Sequence, residues 1–294
     1  MRWLEAGTPE AVSAALRLVA PELGDKPIVF RAGRVEADPV WWSASAVVGR
    51  RFVVKFAWSE PAALRLAHEI AVLASLQIPF LPEVVASSTD PVLLVTALVP
   101  GATLFDVVDS IDRADAGRQL AQFLAALHGS SIENPPPAAL PPATAEIIRE
   151  RFPTWVRPDQ RSAVRRWCDW ADDVLATPQP QVLVHGDLHG GNQVWYDGQL
   201  RVVVDFETVG LADPEYDLRL FPSTGPRLEV LASTLWHYTG RPLNVGRIMA
   251  WHVRTVLGDA LWRSEAGVPL PDHRTPEAWV DDLTQRFSAL RIRP

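Results

Sequence analysis

Asp187 and Asn192 lie on one stretch, Val184-His185-Gly186-Asp187-Leu188-His189-Gly190-Gly191-Asn192, and Asp205 follows in Asp205-Phe206-Glu207. Carboxylate and amide side chains supply the hard oxygen ligands that Mg²⁺ takes together with water and phosphate oxygens. A carboxylate that does not bind the metal can orient a hydroxyl group and accept its proton. These groups suit the transfer of a phosphoryl group, in which positioning and charge neutralisation provide most of the catalysis.

Two short apolar runs predict the scaffold that positions these side chains. Val182-Leu183-Val184 leads into the first stretch and Val202-Val203-Val204 precedes Asp205, so both runs predict short buried strands. Between them, Asp197-Gly198 is a strong signal for a two-residue hairpin turn. The alternative interpretation is a turn that is stabilised only by its own Asp and Asn side chains.

The stretch HGDLHGGN followed by DFE resembles the catalytic and metal-binding loops of the aminoglycoside phosphotransferase and choline kinase-like superfamily, relatives of the protein kinases. The resemblance implies that Asp187 faces the hydroxyl group of the acceptor. It also implies that Asn192 and Asp205 hold Mg²⁺. The whole motif is specific, whereas HGD alone would be a weak signal.

The same resemblance implies a set of residues that brace this loop. Asp217, in the run from 210 to 218, is expected to tie the loop in place through hydrogen bonds. His185 and His189 are expected to brace the loop rather than to react. His128, at the end of a helix that Gly129 closes, is expected to be structural as well.

Lys55 and Glu69 form a second informative pair. Apolar residues recur at helical spacing from 62 to 76, and Glu69 falls inside this stripe. A carboxylate on the packed face needs a partner, because an unpaired buried charge is very costly, and Lys55 on the preceding predicted strand is the natural candidate. In kinases such a lysine holds the nucleotide phosphates. A surface lysine beside an edge glutamate is the alternative.

The run Val92-Leu93-Leu94-Val95-Thr96 predicts another buried strand and resembles the segment that joins the two lobes in this family. The backbone groups of Ala97, Leu98 and Val99 are therefore expected to receive the nucleobase. Their side chains do not distinguish ATP from GTP. The loop from 31 to 39, which covers the phosphates in a kinase, contains only Gly33 and lacks the glycine-rich pattern.

The resemblance implies an α+β, protein kinase-like two-lobe fold. Residues 1–99 are expected to form the N-terminal nucleotide-binding lobe, with an antiparallel sheet plus a helix. Residues 100–294 are expected to form the larger, mostly helical lobe for catalysis and acceptor binding. Local patterns agree, since Thr8-Pro9-Glu10 predicts a helix start and Gly49-Arg50 predicts a hairpin turn.

Composition and charge limit the possible partners. A chain of 294 residues with 48% hydrophobic residues can bury a sizeable core in about one or two domains. A net charge of −7 and a pI near 5.5 argue against an extended nucleic-acid surface. No apolar run approaches the roughly 20 residues that span a bilayer, which predicts a cytoplasmic protein without a membrane partner. The single cysteine, Cys168, lies among tryptophans, which favours packing over reactivity.

The predicted activity is that of a small-molecule kinase. It would transfer the γ-phosphoryl group of ATP or GTP, with Mg²⁺, to a hydroxyl group of a small acceptor. Asp213-Pro214-Glu215 follows Asp205 so closely that little room remains for the activation segment of a regulated protein kinase. Two other classes stay open at this point, a metallohydrolase that uses His185, Asp187 and His189 as ligands, and a nucleotide-binding pseudoenzyme.

The acceptor is expected to carry positive charge, as an aminoglycoside, an amino sugar or a related hydroxylated amine does. Carboxylates that line a cleft attract ammonium groups, and the C-terminal tail offers five of them: Asp259, Glu265, Asp272, Asp281 and Asp282. A neutral sugar or a macrolide is the alternative acceptor. For a macrolide, Trp251 and Trp262 could floor an apolar pocket.

Overall fold

The computed structural model describes residues 1–30, 43–141 and 143–294. The helices are α1 (Pro9–Val19), α2 (Glu60–Ser75), α3 (Leu104–Val107), α4 (Arg113–His128), α5 (Ala145–Arg151), α6 (Arg161–Leu175), α7 (Pro226–His237), α8 (Val245–Ala266) and α9 (Pro276–Ala289). The strands are β1 (Ile28–Phe30), β2 (Ala44–Val48), β3 (Phe52–Phe56), β4 (Val84–Thr89), β5 (Val92–Ala97), β6 (Ala102–Thr103), β7 (Val182–Val184), β8 (Gln193–Tyr196), β9 (Gln199–Val203) and β10 (Gly210–Ala212). Within these described ranges, no helix combines the length and the apolar character needed to cross a membrane.

The chain divides into two compact units that are each assembled from separate segments. The first unit comprises residues 1–104, 132–134 and 190–209, and the second comprises 105–131, 135–189 and 210–294. The first unit contains two antiparallel sheets, whereas the second is mostly helical. The predicted α+β class, with an antiparallel sheet in the N-terminal part and a helical remainder, is confirmed. The predicted lobe boundary between residues 99 and 100 stays a prediction.

The main sheet of the first unit has the strand order β1-β2-β3-β5-β4, and all neighbouring strands are antiparallel. The turn between β2 and β3 is the predicted one, because Gly49 and Arg50 both have the positive φ angles that a tight hairpin requires. Lys55 lies opposite Ser45 on one side and Leu94 on the other. Helix α1 packs its buried face with this sheet in one apolar cluster. The sequence predicts the first strand of this hairpin over residues 40–48, and residues 40–42 lie outside the described residues.

Helix α2 begins with a capping residue, because the Ser59 side chain accepts a hydrogen bond from the backbone N–H of Ala62. Its buried face contains Leu66, Val72 and Leu73, and Glu69 lies on the same face. The helix ends where Leu76 takes an extended conformation. The stripe that the sequence predicted is therefore present, and it carries the buried glutamate.

The smaller sheet of the first unit has the order β6-β8-β9. Asp197 and Gly198 connect β8 and β9, and both have positive φ angles, as a two-residue hairpin turn requires. This confirms the predicted hairpin. Strand β9 ends at Val203, two residues before Asp205.

In the part of the second unit that the structure describes, two groups of helices pack together, and strands β7 and β10 form a short antiparallel pair. Helices α4 and α7 come close at Gly117, where an added Cβ atom would lie only 2.4 Å from the Cβ atom of Ser233. Helices α5, α6, α8 and α9 share a core that includes Phe152, Trp167 and Phe287. Cys168 is buried in this core, and burial raises the pKa of its thiol to about 12. This matches the packing role that was predicted for Cys168.

Candidate active site

Lys55, Glu69 and Asp205 form a charged cluster inside the first unit. The Nζ atom of Lys55 donates to both carboxylate oxygens of Glu69, at 2.8 and 2.9 Å. It also contacts Oδ1 of Asp205. The Lys55–Glu69 ion pair that the stripe predicted is therefore present. The contact with Asp205, which lies far away in sequence, could not be read from local spacing.

Lys55 stays charged in this cluster although the cluster is largely buried. Burial favours the neutral amine, but attraction to Glu69 and Asp205 outweighs burial and raises the pKa of Lys55. Glu69 is 1% exposed and also accepts a hydrogen bond from the Phe206 N–H at 3.2 Å. Such extra hydrogen bonds are needed to offset the desolvation cost of a buried ion pair. Burial raises the pKa of Glu69, and the charge of Lys55 opposes this shift.

Asn192 and Asp205 stand close together because their backbones are linked. The carbonyl oxygen of Asn192 accepts a hydrogen bond from the N–H of Val204 at 2.9 Å, one residue before Asp205. The Asn192 side chain is buried, and Asp205 has a φ of 70°, a conformation that non-glycine residues adopt mainly where the surroundings impose it.

One amide and one carboxylate oxygen fit the chemistry of Mg²⁺, which fills its remaining positions with water and phosphate oxygens. Among residues 1–30, 43–141 and 143–294, no group of three or more His, Cys, Asp and Glu side chains is arranged to hold a metal. An ion that is bound together with nucleotide phosphates does not need such an all-protein cage.

Helix α2 holds the segment after Asp205 at three positions. Arg65 forms an ion pair with Glu207 at 2.9 Å, and Nε2 of His68 lies 2.8 Å from the carbonyl oxygen of Val209. Glu69 provides the third contact through Phe206. Sequence reasoning identified only Glu69, although positions 65, 68 and 69 share one helix face by their spacing. That shared face is the signal that could have found the other two.

The segment expected to receive the nucleobase is half-buried at the end of β5. The N–H of Ala97 donates to the carbonyl of Glu83 at 2.9 Å, and the N–H of Leu98 donates to the carbonyl of Arg51 at 2.8 Å. These two amides are therefore already used within the first unit. The loop from 31 to 39 lies outside the described residues.

In the second unit, Asp217 holds the loop that carries Asp187. Its carboxylate accepts hydrogen bonds from the backbone N–H groups of His185 and Gly186, both at 2.9 Å. His128 Nε2 lies 3.2 Å from the same carboxylate. Burial opposes ionisation, but the hydrogen bond and charge of His128 help to lower the pKa of Asp217 below its ordinary value. The tie that was predicted for Asp217 is present, and His128 belongs to it.

Asp187 follows directly on this anchored turn. Its backbone N–H donates to Nδ1 of His185 at 3.3 Å, and its Oδ2 atom lies 3.7 Å from Nε2 of His189. The ring of His189 stacks on Phe105, with centroids 6.1 Å apart and an interplanar angle of 8°. The Asp187 side chain is 40% exposed. These contacts match the bracing roles that were expected for the two histidines.

Arg219 holds the other face of the same turn, and sequence reasoning missed it. Its Nη2 atom donates to the carbonyl oxygen of Gly186 at 2.7 Å, and its Nη1 atom donates to the carbonyl of Tyr216 at 3.1 Å. The guanidinium lies 3.9 Å from the centroid of the Tyr216 ring. The position follows the predicted run 210–218 by one residue, and nothing in its local pattern marks it.

The tail carboxylates that were expected to attract a cationic acceptor lie close to positive charge. All five lie against arginine side chains, in the pairs Asp259–Arg263 at 2.9 Å, Glu265–Arg151 at 2.6 Å, Asp272–Arg274 at 2.8 Å, Asp281–Arg157 at 3.0 Å and Asp282–Arg274 at 2.7 Å. Because each carboxylate already has a cationic partner, the attraction for an ammonium group is largely cancelled. These pairs weaken the charge argument for a cationic acceptor, and the charge of the acceptor stays a prediction.

The two tryptophans considered for an apolar pocket do not share one environment. Trp251 is 7% exposed, packs edge-on against Tyr216 and donates from its ring N–H to Asp213 at 3.2 Å. Trp262 is 54% exposed and lies beside Arg263. They do not form a common pocket floor.

A family model identifies this protein as a phosphotransferase. Residues 30–255 match the model of the phosphotransferase enzyme family (APH), which covers more than half of the chain. The chain belongs to this family, and the resemblance noted in the sequence is confirmed. The metallohydrolase alternative is wrong. Among curated proteins, none matches the sequence significantly.

Solved structures share the fold at low sequence identity. The GDP complex of aminoglycoside 2'-phosphotransferase-IIIa is 14% identical, with a TM-score of 0.66 over 97% of this chain and 99% of that one. Spectinomycin phosphotransferase APH(9)-Ia, in complex with ADP and spectinomycin, is 14% identical, with a TM-score of 0.63 over 95% and 92%. The macrolide 2'-phosphotransferase MphH from Brachybacterium faecium is 20% identical, with a TM-score of 0.58 over 97% and 99%.

Proposed function

We propose that this phosphotransferase is a small-molecule kinase that moves the γ-phosphoryl group of ATP or GTP, with Mg²⁺, to a hydroxyl group of a small acceptor. The observation that carries the proposal is the cluster of Lys55, Glu69 and Asp205. It places a fully charged lysine beside the carboxylate that the family motif assigns to the metal. Residues 1–99 would serve as the nucleotide-binding lobe and residues 100–294 as the catalytic and acceptor-binding lobe.

On the nucleotide side, Lys55 would hold the phosphates and Glu69 would hold Lys55 in place. When phosphates bind, Lys55 can exchange its contact with Asp205 for phosphate oxygens and still keep both oxygens of Glu69. The nucleobase would bind at Ala97, Leu98 and Val99. Since the amides of Ala97 and Leu98 donate within the first unit, the N–H of Val99 is the proposed donor to the base.

Asn192 and Asp205 would hold Mg²⁺ through their side-chain oxygens. The ion, when bound, supplies charge neutralisation for the phosphate oxygens. The protein residues have a simpler task, which is to keep two oxygen donors in fixed positions. The hydrogen bond between Asn192 and Val204 serves that task, because it fixes the distance between the two ligand-bearing segments.

Asp187 would orient the acceptor hydroxyl and accept its proton. Its side chain is partly exposed, as a residue that meets a substrate requires, while its backbone is fixed by the anchored turn. A general base of this kind contributes typically 10²–10⁴-fold to the rate. The presence of all four groups at Lys55, Asp187, Asn192 and Asp205 favours an active enzyme over a pseudoenzyme.

The first acceptors to test are aminoglycosides, amino sugars and related hydroxylated amines. Support comes from solved neighbours, which include aminoglycoside and spectinomycin phosphotransferases, and not from the tail carboxylates. A macrolide or a neutral sugar is the second candidate, favoured by the 20% identity to the macrolide 2'-phosphotransferase. With an antibiotic as acceptor, the enzyme would confer resistance from the cytoplasm, where its nucleotide donor is found.

The decisive experiment is a coupled assay of ADP and GDP release over a panel of aminoglycosides, amino sugars, macrolides and neutral sugars. Mg-ATP and Mg-GTP are tested separately. The Asp187→Asn variant is purified in parallel, so that a contaminating kinase appears in both preparations. Acceptor-dependent release that disappears in this variant supports the proposal. Nucleotide binding without release on any acceptor would favour the pseudoenzyme instead.

A further inference from the structure

Besides its contact with Asp217, the turn that precedes Asp187 is connected to the C-terminal helix by hydrogen bonds through three residues. Arg219 donates to the carbonyl oxygen of Gly186 at 2.7 Å. The carbonyl oxygen of Arg219 lies 2.6 Å from Nδ1 of His252 on α8. Nε2 of the same histidine lies 2.6 Å from Nη1 of Arg286 on α9. All of these residues lie in the second unit.

The direction of each hydrogen bond in this chain follows from the chemistry of its ends. An arginine can only donate, so Nε2 of His252 must accept from Arg286. The proton of the neutral ring is then on Nδ1, which donates to the carbonyl oxygen of Arg219. Burial and the charge of Arg286 lower the pKa of His252 to about 3, so the ring stays in this neutral form at physiological pH.

The burial and the hydrogen bonds of these residues favour a role in positioning the turn over a role in packing alone. Arg219 and His252 are 6% and 2% exposed, so their hydrogen bonds meet little competition from water. Gly186 has a φ of 81°, and its peptide groups are held by Asp217 at the N–H and by Arg219 at the carbonyl. A shift of this turn moves the backbone of the next residue, Asp187.

We propose that Arg286, His252 and Arg219 form a positioning relay that holds the Gly186 carbonyl and thereby sets the place of Asp187. The proposal rests on the function proposed above only for its kinetic readout. Arg286 lies beyond residue 255, where the match to the family model ends. The relay therefore gives a helix outside the matched region a part in catalysis.

The test uses the full-length protein and two readouts. The first is hydrogen exchange, followed by mass spectrometry, of the peptide that spans residues 185–189, which needs neither nucleotide nor acceptor. The second is kcat and KM for Mg-ATP on the acceptor found in the panel. The variants are His252→Ala, His252→Asn and Arg286→Met. Asparagine keeps a side-chain N–H near the position of Nδ1, so His252→Asn is the conservative rescue.

In His252→Ala and Arg286→Met, we expect the loop peptide to exchange about two- to tenfold faster, since one net hydrogen bond is worth about that factor. We expect kcat to fall about tenfold while KM for Mg-ATP stays within twofold. His252→Asn should recover most of both effects. The control is Arg263→Met on α8, whose arginine pairs with Asp259 and makes no contact in the relay. It should change neither readout.

Three results would overturn the relay. The loop peptide could exchange at the wild-type rate, the variants could speed exchange equally in all peptides, or kcat could stay unchanged in an active enzyme. If His252→Ala does not fold, Arg286→Met decides, because it removes only the outer end of the chain. Failure of the proposed function is recognised separately, since the wild type would then show no acceptor-dependent turnover while the exchange readout still stands.

Discussion

The cluster around Lys55 and the loop around Asp187 are held by different forces. In the first unit, charged side chains hold one another directly, and Lys55 contacts both Glu69 and Asp205. In the second unit, the backbone of Gly186, before Asp187, donates a hydrogen bond to Asp217 and accepts one from Arg219. The groups proposed to function in the first unit thus also hold one another in place, whereas the backbone before Asp187 is held by residues other than Asp187. Substitution of Lys55 should therefore change stability and nucleotide binding together, whereas Asp187→Asn should change activity alone.

The largest effect is expected for Asp187→Asn, which sharpens the comparison on the loop side. The substitution removes the proton acceptor but keeps the size of the side chain. We expect kcat to fall by about 10²–10⁴, with nucleotide affinity and the free energy of unfolding nearly unchanged. Steady-state kinetics, nucleotide titration and denaturant unfolding measure these quantities. Asp197→Asn, in the exposed hairpin turn, is the matched control, and near-normal turnover in Asp187→Asn would refute the catalytic role.

The next effect tests the charged cluster. Lys55→Met leaves Glu69 and Asp205 without their shared cation, and removing one partner of a buried pair costs about 3–5 kcal/mol. The free energy of unfolding should fall by that amount, and the apparent KM for nucleotide should rise. Adding Glu69→Gln to Lys55→Met should recover part of the lost stability, because one of the stranded charges disappears. If Lys55→Met unfolds like the wild type, the cluster does not have the structural role described.

A smaller effect is expected in the Mg²⁺ dependence. Asn192→Ala removes one proposed oxygen ligand and leaves the charges of the cluster unchanged. We expect the Mg²⁺ concentration for half-maximal activity, at fixed ATP, to rise at least about tenfold, by analogy with other losses at metal sites. Gln193→Ala, at the neighbouring position, is the control. A superimposable Mg²⁺ titration of the Asn192 variant would remove this residue from the metal site.

The smallest effect concerns the pH dependence of stability. Folding lowers the pKa of His252 from an ordinary value near 6.5 to about 3, so the unfolded chain binds one more proton at this position between those values. The stabilisation is complete above about pH 6.5 and is lost as the pH falls toward 3. The slope is at most about 1.4 kcal/mol per pH unit. His252→Asn should therefore lose less stability than the wild type between pH 6.5 and 5, and parallel curves in denaturant titrations would contradict this.

Local patterns predicted the parts of this molecule that depend on near neighbours. The hairpin at Asp197-Gly198 and the helix start at Thr8 follow from turn and capping chemistry. The Lys55–Glu69 pair followed from one polar residue on an apolar helix face. Each of these features depends on residues that are close in sequence or on the high cost of an unpaired buried charge.

Other features depend on contacts between distant segments, and the sequence did not reveal them. The tail carboxylates were expected to attract a cationic acceptor, because the pairing of Glu265 with Arg151, or of Asp281 with Arg157, joins residues more than 100 positions apart in the sequence. The link from Arg286 to Arg219 through His252 has no spacing pattern for the same reason. Charge counts along a chain do not show which charges neutralise one another.

The burial of Cys168 makes the protein a clean scaffold for site-specific fluorescence. It is the single cysteine of the sequence, and with a thiol pKa of about 12 it should be inert to maleimides near neutral pH. A cysteine introduced at Leu64, which is 54% exposed on α2, would then be the only thiol to react. A dye at that position would sit on the helix that carries Glu69 and could follow nucleotide binding in real time, without a second substitution to remove a background signal.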